Sequence, residues 1–349
     1  MEAIYQLLDA LDYGDAVSNH VIELSSMLSD LGIKNKIFSL HVHEKVRHLQ
    51  TSIKELSVSS EDLILFHFSG KSQILDQVIA LRCKKALIYH NITPHHFFVG
   101  MDQHYRHCLE GRQQLEKLVG KFDYYIADSD FNVQELIKLG CSPASVMPIV
   151  VDLKVRGVRK VYRSKTPKKF IFIGRVAPNK KHEDIILIFN YYYSYIDPAS
   201  ELYLVGNYQD YMPYYNKLKD LVDSLPSRSN IHFTGKVSDG ELDYHYKTAD
   251  AFICMSEHEG FCVPILESMS YGVVTFAYDS GAIRTTMGDS GILITEKMHE
   301  EIAELISYVL DNEQLSQSII DRQYNWLTHF SREKSIQRLS AIIDKMRYA

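Results

Sequence analysis

Residues 251–277, AFICMSEHEGFCVPILESMSYGVVTFA, decide the fold. The runs at its two ends, Ala251 to Met255 and Val273 to Ala277, are short and apolar and carry Phe, Ile, Val and Thr, the composition of buried strands. Pro264 cannot stand inside a helix without breaking its hydrogen-bond ladder, but at the first turn its missing N–H costs nothing. Ser256 to Val263 therefore reads as a loop, with a helix starting about Pro264. Strand, loop, helix and strand in that order make the unit whose two strands lie parallel. Glu259 falls in the loop and Glu267 in the first turns of the helix.

The same alternation extends in both directions. Before this stretch, Lys169 to Ile173, Glu201 to Val205 and Ile231 to Thr234 read as strands, and Gly291 to Ile294 follows it. In the first half, Lys36 to Leu40, Asp62 to Phe66, Ala86 to Tyr89 and Asp123 to Ala127 do so, with helical patterns over Ala16 to Leu31 and Phe131 to Leu139. Strands separated by helices imply parallel sheets covered on both faces. The expected fold class is α/β, with two doubly wound Rossmann-like domains. The expected division is a first domain over 1–155, a second over 156–325 and a terminal amphipathic helix over 326–349 that crosses back to the first.

A chain of 349 residues suits two ordinary domains. With 38 Lys and Arg against 44 Asp and Glu, the net charge is −6, which does not favour a nucleic-acid coat. Cys83, Cys108, Cys141, Cys254 and Cys262 have no paired spacing, which argues against a zinc site or a disulfide framework and fits a reducing compartment. The first residues lack a basic region followed by an apolar core, and no apolar run approaches the roughly 20 residues needed to cross a bilayer. A soluble cytoplasmic protein is expected. Leu153 to Lys169, LKVRGVRKVYRSKTPKK, is strongly basic; it reads as a solvated linker or as a contact with an anionic membrane surface or acceptor.

In open α/β sheets, ligands bind beyond the carboxyl ends of the strands. The loop after Lys169 to Ile173 supplies Gly174, Arg175 and Lys180, a guanidinium fork and a point charge suited to phosphate oxygens; read alone, the cations are ordinary surface residues. Gly206 and Gly235 end the next two strands, where a turn or a ligand can approach the backbone closely. Backbone N–H groups of Gly260, Phe261 and Cys262 precede a helix whose positive end suits phosphate. Glu267 leans toward that end, where a carboxylate can accept hydrogen bonds from a ribose diol. Glu259 can reach sugar hydroxyls beyond the phosphates. The bland readings are a helix-dipole acid for Glu267 and an exposed loop residue for Glu259.

In the first half, His90 directly follows a strand, and His95 and His96 lack a further metal ligand at helical spacing. Asp128-Ser129-Asp130 has the form of a metal-binding D-x-D. Its position between a strand and a helix makes capping by Ser129 or Asp130 the better account.

Together GRVAPNKKHED, LVG, HFTGKVSDGELDYHYKTADAFICMSEHEGFCVPILESMSYGVVTFAYDSGAIRT and GILI resemble the carboxyl-terminal domain of family 4 glycosyltransferases of the GT-B fold, over roughly 130 residues in the expected order. The resemblance implies two domains facing a central cleft. It implies that Arg175 and Lys180 hold a donor diphosphate, Glu267 the ribose and Glu259 the transferred sugar. Gly174, Gly206 and the N–H groups of Gly260, Phe261 and Cys262 line the donor, and the base lies near Lys236 and Val237. DYGDAVSNHVIEL resembles the family's amino-terminal loop, which puts Gly14 and Asp15 beside the donor. His90 is expected to contact the transferred sugar or the acceptor hydroxyl. Two positions depart from the family's pattern: Lys181 and Cys262 stand where glycine is usual or frequent.

By resemblance the reaction is a retaining transfer of a hexosyl group from a UDP- or GDP-sugar to a glycan or lipid-linked glycan in polysaccharide assembly. No cofactor is expected, and no metal, because fixed cations and a helix end already face the leaving group. The competing reading is a nonhydrolysing nucleotide-sugar epimerase. A nicotinamide dehydrogenase is weaker, since no G-x-G-x-x-G follows the first strand.

Overall fold

The computed structural model describes residues 2–151, 153 and 167–348. Most of the basic run expected to join the domains lies outside the described residues. The chain divides into two units, Met1–Asp152 with Phe330–Ala349, and Leu153–His329. These divisions stand against 155/156 and 325/326 in the sequence reading.

In the first unit the described strands are β1 (Ile4–Leu11), β2 (Asn35–Val42), β3 (Gln50–Ser52), β4 (Leu63–Phe68), β5 (Lys84–Tyr89), β6 (Tyr124–Ala127) and β7 (Ala144–Val146). They form one parallel sheet in the order β3-β2-β1-β4-β5-β6-β7. The strand β1 was absent from the sequence reading, yet it pairs with both β2 and β4. Its interior Gln6 and Asp9 interrupt the apolar run IYQLLDAL, and Gln6 is satisfied by donating to the Val21 carbonyl at 3.0 Å. Alternate strand residues feed opposite cores, as the two-residue period of a strand requires. Ile64, Phe66, Phe68, Leu87 and Tyr89 enter one cluster, while Leu63, Leu65, Ala86 and Ile88 enter another. The terminal helix Arg332–Tyr348 adds Leu339, Ile342, Ile343 and Met346 to the second cluster, so the end of the chain completes the core begun by its start. Each such burial contributes roughly 1.5–3 kcal/mol.

The second unit has β8 (Lys169–Ile173), β9 (Glu201–Val205), β10 (Ile231–Gly235), β11 (Ala251–Cys254), β12 (Val274–Tyr278) and β13 (Ile292–Ile294), parallel in the order β10-β9-β8-β11-β12-β13. The order reverses direction at β8, between β9 and β11. Phe170, Phe172, Phe189, Tyr192, Phe252 and Phe276 fill its interior. Among the described residues no helix is long and apolar enough to cross a membrane.

Candidate functional site

The loops after β8, β9 and β11 gather most of the predicted site residues of the second unit. Gly174 and Gly206 end β8 and β9 in close contact: a Cβ on Gly206 would lie 1.9 Å from the Gly174 carbonyl oxygen, so no other residue fits without moving backbone. The Gly206 N–H donates to the Gly235 carbonyl at 3.1 Å, carrying the same edge on to β10. Arg175 is exposed in the loop that follows, with its guanidinium 3.5 Å from the Tyr211 hydroxyl. Lys236 is exposed and Val237 half-buried after β10.

A short turn, Pro178–Lys180, then puts Lys180 Nζ 2.7 Å from both oxygens of Glu259. The two side chains are 17% and 8% exposed, so the pair is largely but not wholly out of water. Burial alone would lower the Lys180 pKa. The charge of Glu259, the nearby Cys262 and the hydrogen bonds to Glu259 outweigh it and hold the ammonium above its ordinary value.

The loop bearing Glu259 is fastened from two sides. Asn179, buried, donates from its side chain to the His258 carbonyl at 3.0 Å, and its own carbonyl accepts from the Glu257 N–H at 2.8 Å. On the other side the Glu259 carbonyl accepts from the Ala282 N–H at 2.9 Å, and Thr286 donates to the Phe261 carbonyl at 2.5 Å. Lys297 reaches Asp184 at 2.7 Å and Glu257 at 3.0 Å, tying the loop to the helix His182–Tyr195. Asn179 and Lys297 were not among the sequence candidates. Nothing in their local spacing marks them; only tertiary packing gives them these partners.

The helix Val263–Ser270 has Cys262 at its N-cap and Pro264 in its first turn, and no side chain caps it. Pro264 brings no N–H to this turn, and the Ile265 N–H donates to the Cys262 carbonyl at 3.1 Å. Cys262 has φ 73° and Lys181 φ 52°. These are the two positions where the resembled family uses glycine, and the backbone keeps the left-handed conformation that glycine adopts without strain. Glu267 accepts from the Tyr246 hydroxyl at 2.7 Å, and burial raises its pKa against the lowering effect of that hydrogen bond. Cys262 donates its S–H toward Cys254, which raises the Cys262 thiol well above its ordinary value and lowers that of Cys254.

Gly14, Asp15 and His90 belong to the first unit. Asp15 caps the helix Ala16–Asp30, accepting from Val17 N–H at 2.9 Å, and Gly14 before it takes φ 82°. His90 is the site residue whose surroundings differ most from the expectation. Its Nδ1 lies 2.9 Å from Asp128, its Nε2 lies 2.9 Å from His67 Nδ1, and its ring is 0% exposed. With both nitrogens engaged and the ring buried, the imidazole offers no free atom to a sugar or an acceptor hydroxyl. His67 in turn meets the Gln6 side-chain oxygen at 3.0 Å. Burial first, then the neighbouring imidazoles, holds His67 and His20 well below the usual histidine range. The register explains the contact: Tyr89 stands opposite Ala127, so the residues that follow, His90 and Asp128, leave adjacent strands side by side. In the D-x-D stretch, Ser129 caps the helix Asp130–Leu139 by accepting from Asn132 N–H at 3.2 Å, and Asp128 is spent on His90.

Residues 157–326 match the sequence profile of the family Glycosyl transferases group 1, and the second unit carries a domain of that kind. Among curated proteins, the chain is 36% identical over 76 residues to O-antigen chain mannosyltransferase B of Escherichia coli, covering 22% of this chain and 20% of that one. It is 30% identical over 120 residues to mannosylfructose-phosphate synthase of Agrobacterium fabrum, covering 33% of this chain and 26% of that one. The matched segments thus span about a fifth to a quarter of these relatives. Among solved structures, HepE of Anabaena in complex with UDP-glucose superposes with a TM-score of 0.75 at 16% identity, over 98% of this chain and 99% of that one. Sucrose-phosphate synthase of Thermosynechococcus elongatus gives 0.76 at 14% identity, over 99% of both. The fold is the two-domain GT-B architecture.

Proposed function

We propose that the protein is a glycosyltransferase that moves a hexosyl group from a UDP- or GDP-sugar to a glycan or lipid-linked glycan acceptor, with retention and without a metal. The observation that carries this reading is the Lys180–Glu259 pair, 2.7 Å to each carboxylate oxygen, at the start of the helix Val263–Ser270. In this reading the carboxylate holds the place of the donor diphosphate. When the diphosphate enters, Lys180 exchanges one anion for another, and Glu259 is released to accept from a sugar hydroxyl. Arg175 supplies the second cation.

Breaking the sugar–phosphate bond leaves growing charge on the diphosphate, and fixed cations with a helix mouth stabilise it without reorganising. The departing phosphate oxygen takes the acceptor proton on the same face, so no strong protein base is required. Glu259 orients the sugar and is not the nucleophile of a paired-carboxylate mechanism. Glu267, held by Tyr246, takes the ribose, and the first unit takes the acceptor. The UDP-glucose bound to HepE supports a nucleotide-sugar donor. Peripheral contact with the inner face of a membrane belongs to the same proposal, through the basic run.

A panel of nucleotide sugars screened by thermal shift identifies the donor, since a ligand that binds the folded state raises its apparent stability. Product analysis with that donor then tests the reaction. A lengthened acceptor plus free nucleotide, with activity kept in EDTA, is expected. An isomerised nucleotide sugar, or activity lost in EDTA and restored by Mn²⁺, overturns it.

A further inference from the structure

Cys254, the last residue of β11, and Cys262, at the mouth of the next helix, are eight residues apart in a loop that returns on itself. Their sulfurs and a carboxylate oxygen of Glu259 all lie within 4.8 Å of one another. Cys254 is fully buried, Glu259 is buried and Cys262 half-buried. The loop is held from outside by Asn179, Ala282 and Thr286, so this grouping is built into the fold. Ligands around a zinc ion, at 2.0–2.3 Å from it, stand roughly 3.7 Å from each other. An inward shift of about an ångström would close the set.

We propose that Cys254, Cys262 and Glu259 form an inhibitory site for a thiophilic divalent cation of the zinc class. Two thiolates and one carboxylate select a borderline-soft ion, while Mg²⁺ and Ca²⁺ require oxygen ligands and are excluded by the sulfurs. Binding breaks two S–H bonds and forms two metal–sulfur bonds, with both protons passing to solvent. No electron moves. Glu259 exchanges Lys180 for the metal, leaving the ammonium without its partner. The fourth position of a tetrahedral ion stays open to water. The binding step stands on geometry alone. Its inhibitory consequence rests on the donor-site reading of Glu259 and Lys180, because an ion on Glu259 withdraws the group that orients the sugar.

The test is a titration of the reduced, EDTA-stripped full chain with Co²⁺, a spectroscopic substitute for zinc. A near-ultraviolet thiolate-to-cobalt absorption that saturates at one equivalent and is displaced by Zn²⁺ is expected. It should vanish in the double variant Cys254→Ser/Cys262→Ser. Cys262→Gly, which suits the positive φ at that position, provides a second variant and should weaken Co²⁺ binding by about 10–100-fold. No such absorption in the parent chain, or the same absorption in both variants, overturns the site. Zinc should lower sugar transfer at least about tenfold, with recovery on adding EDTA and no effect of Mg²⁺. A cobalt absorption together with undiminished transfer overturns the inhibitory role and leaves the site. A cobalt absorption in a chain with no transferase activity on any donor would count against the proposed function instead.

Discussion

Both units bury ionisable groups at the ends of their parallel strands, and the two clusters leave different things open. In the first, His90 is clasped between Asp128 and His67, with ring and carboxylate 0% and 1% exposed. Each nitrogen of His90 already has a partner, so the cluster is closed to ligands. In the second, Lys180 and Glu259 hold each other at 17% and 8% exposure, beside an uncapped helix start. In the proposed reading an incoming diphosphate takes the place of the carboxylate on Lys180, and Glu259 turns to a sugar hydroxyl. A buried imidazole with both nitrogens paired stiffens a core, whereas a partly exposed ion pair can exchange partners.

The largest expected effect tests the open cluster. Lys180→Ala or Glu259→Ala, assayed with the donor found by thermal shift and with saturating acceptor, should lower turnover by about 10²–10³-fold. Near-normal turnover would make this pair structural, like its counterpart, and erase the contrast.

Next in size is the closed cluster. Asp128→Ala leaves the His90 ring buried without its acceptor and should destabilise the protein by about 1–3 kcal/mol, read as a lower urea midpoint. Donor affinity, measured by calorimetry at a temperature where the variant is folded, should not change. A loss of donor affinity would give His90 back a part in binding.

Acidification should lower stability through buried histidines of both units. His20 and His67 have depressed pKa values, and burial, then Lys180, lowers that of His182 to about 3. Near pH 6.5 and below, the unfolded chain takes up protons that these folded imidazoles refuse, so stability falls as pH falls. For His182 that window runs from about 6.5 down to about 3, with a slope of at most roughly 1.4 kcal/mol per pH unit for each histidine. Urea midpoints that stay flat from about pH 7.5 to about pH 5.5 would contradict buried, neutral histidines.

The smallest effect concerns His182 alone, whose two ring nitrogens are buried without hydrogen-bond partners. His182→Leu removes that unmet desolvation and should raise stability by about 1 kcal/mol at neutral pH, flattening part of the acid slope. A clear destabilisation would mean the ring is satisfied by ordered water.

Much of the candidate site was legible because strand ends advertise themselves. The cations after KFIFI, and the acids on either side of Pro264, sit where an α/β sheet presents its loops, and their offsets are local. The strand β1 was not legible, because Gln6 and Asp9 break the apolar pattern and only the Val21 carbonyl and His67 account for Gln6. His90 follows a strand, as expected, but the sugar or acceptor contact expected of it overlooks His67 and Asp128, partners distant along the chain. The two cysteines showed no pairing by spacing, yet a returning loop brings their sulfurs together.

By itself the sequence determined the element types, the parallel layering and the strand-end loops, because hydrophobic period and proline placement are properties of neighbouring residues. Tertiary structure alone decided which side chains face each other: Lys180 with Glu259, His90 with Asp128, Cys254 with Cys262. The reason is that strand register and loop closure join residues distant along the chain, and no local spacing encodes that proximity.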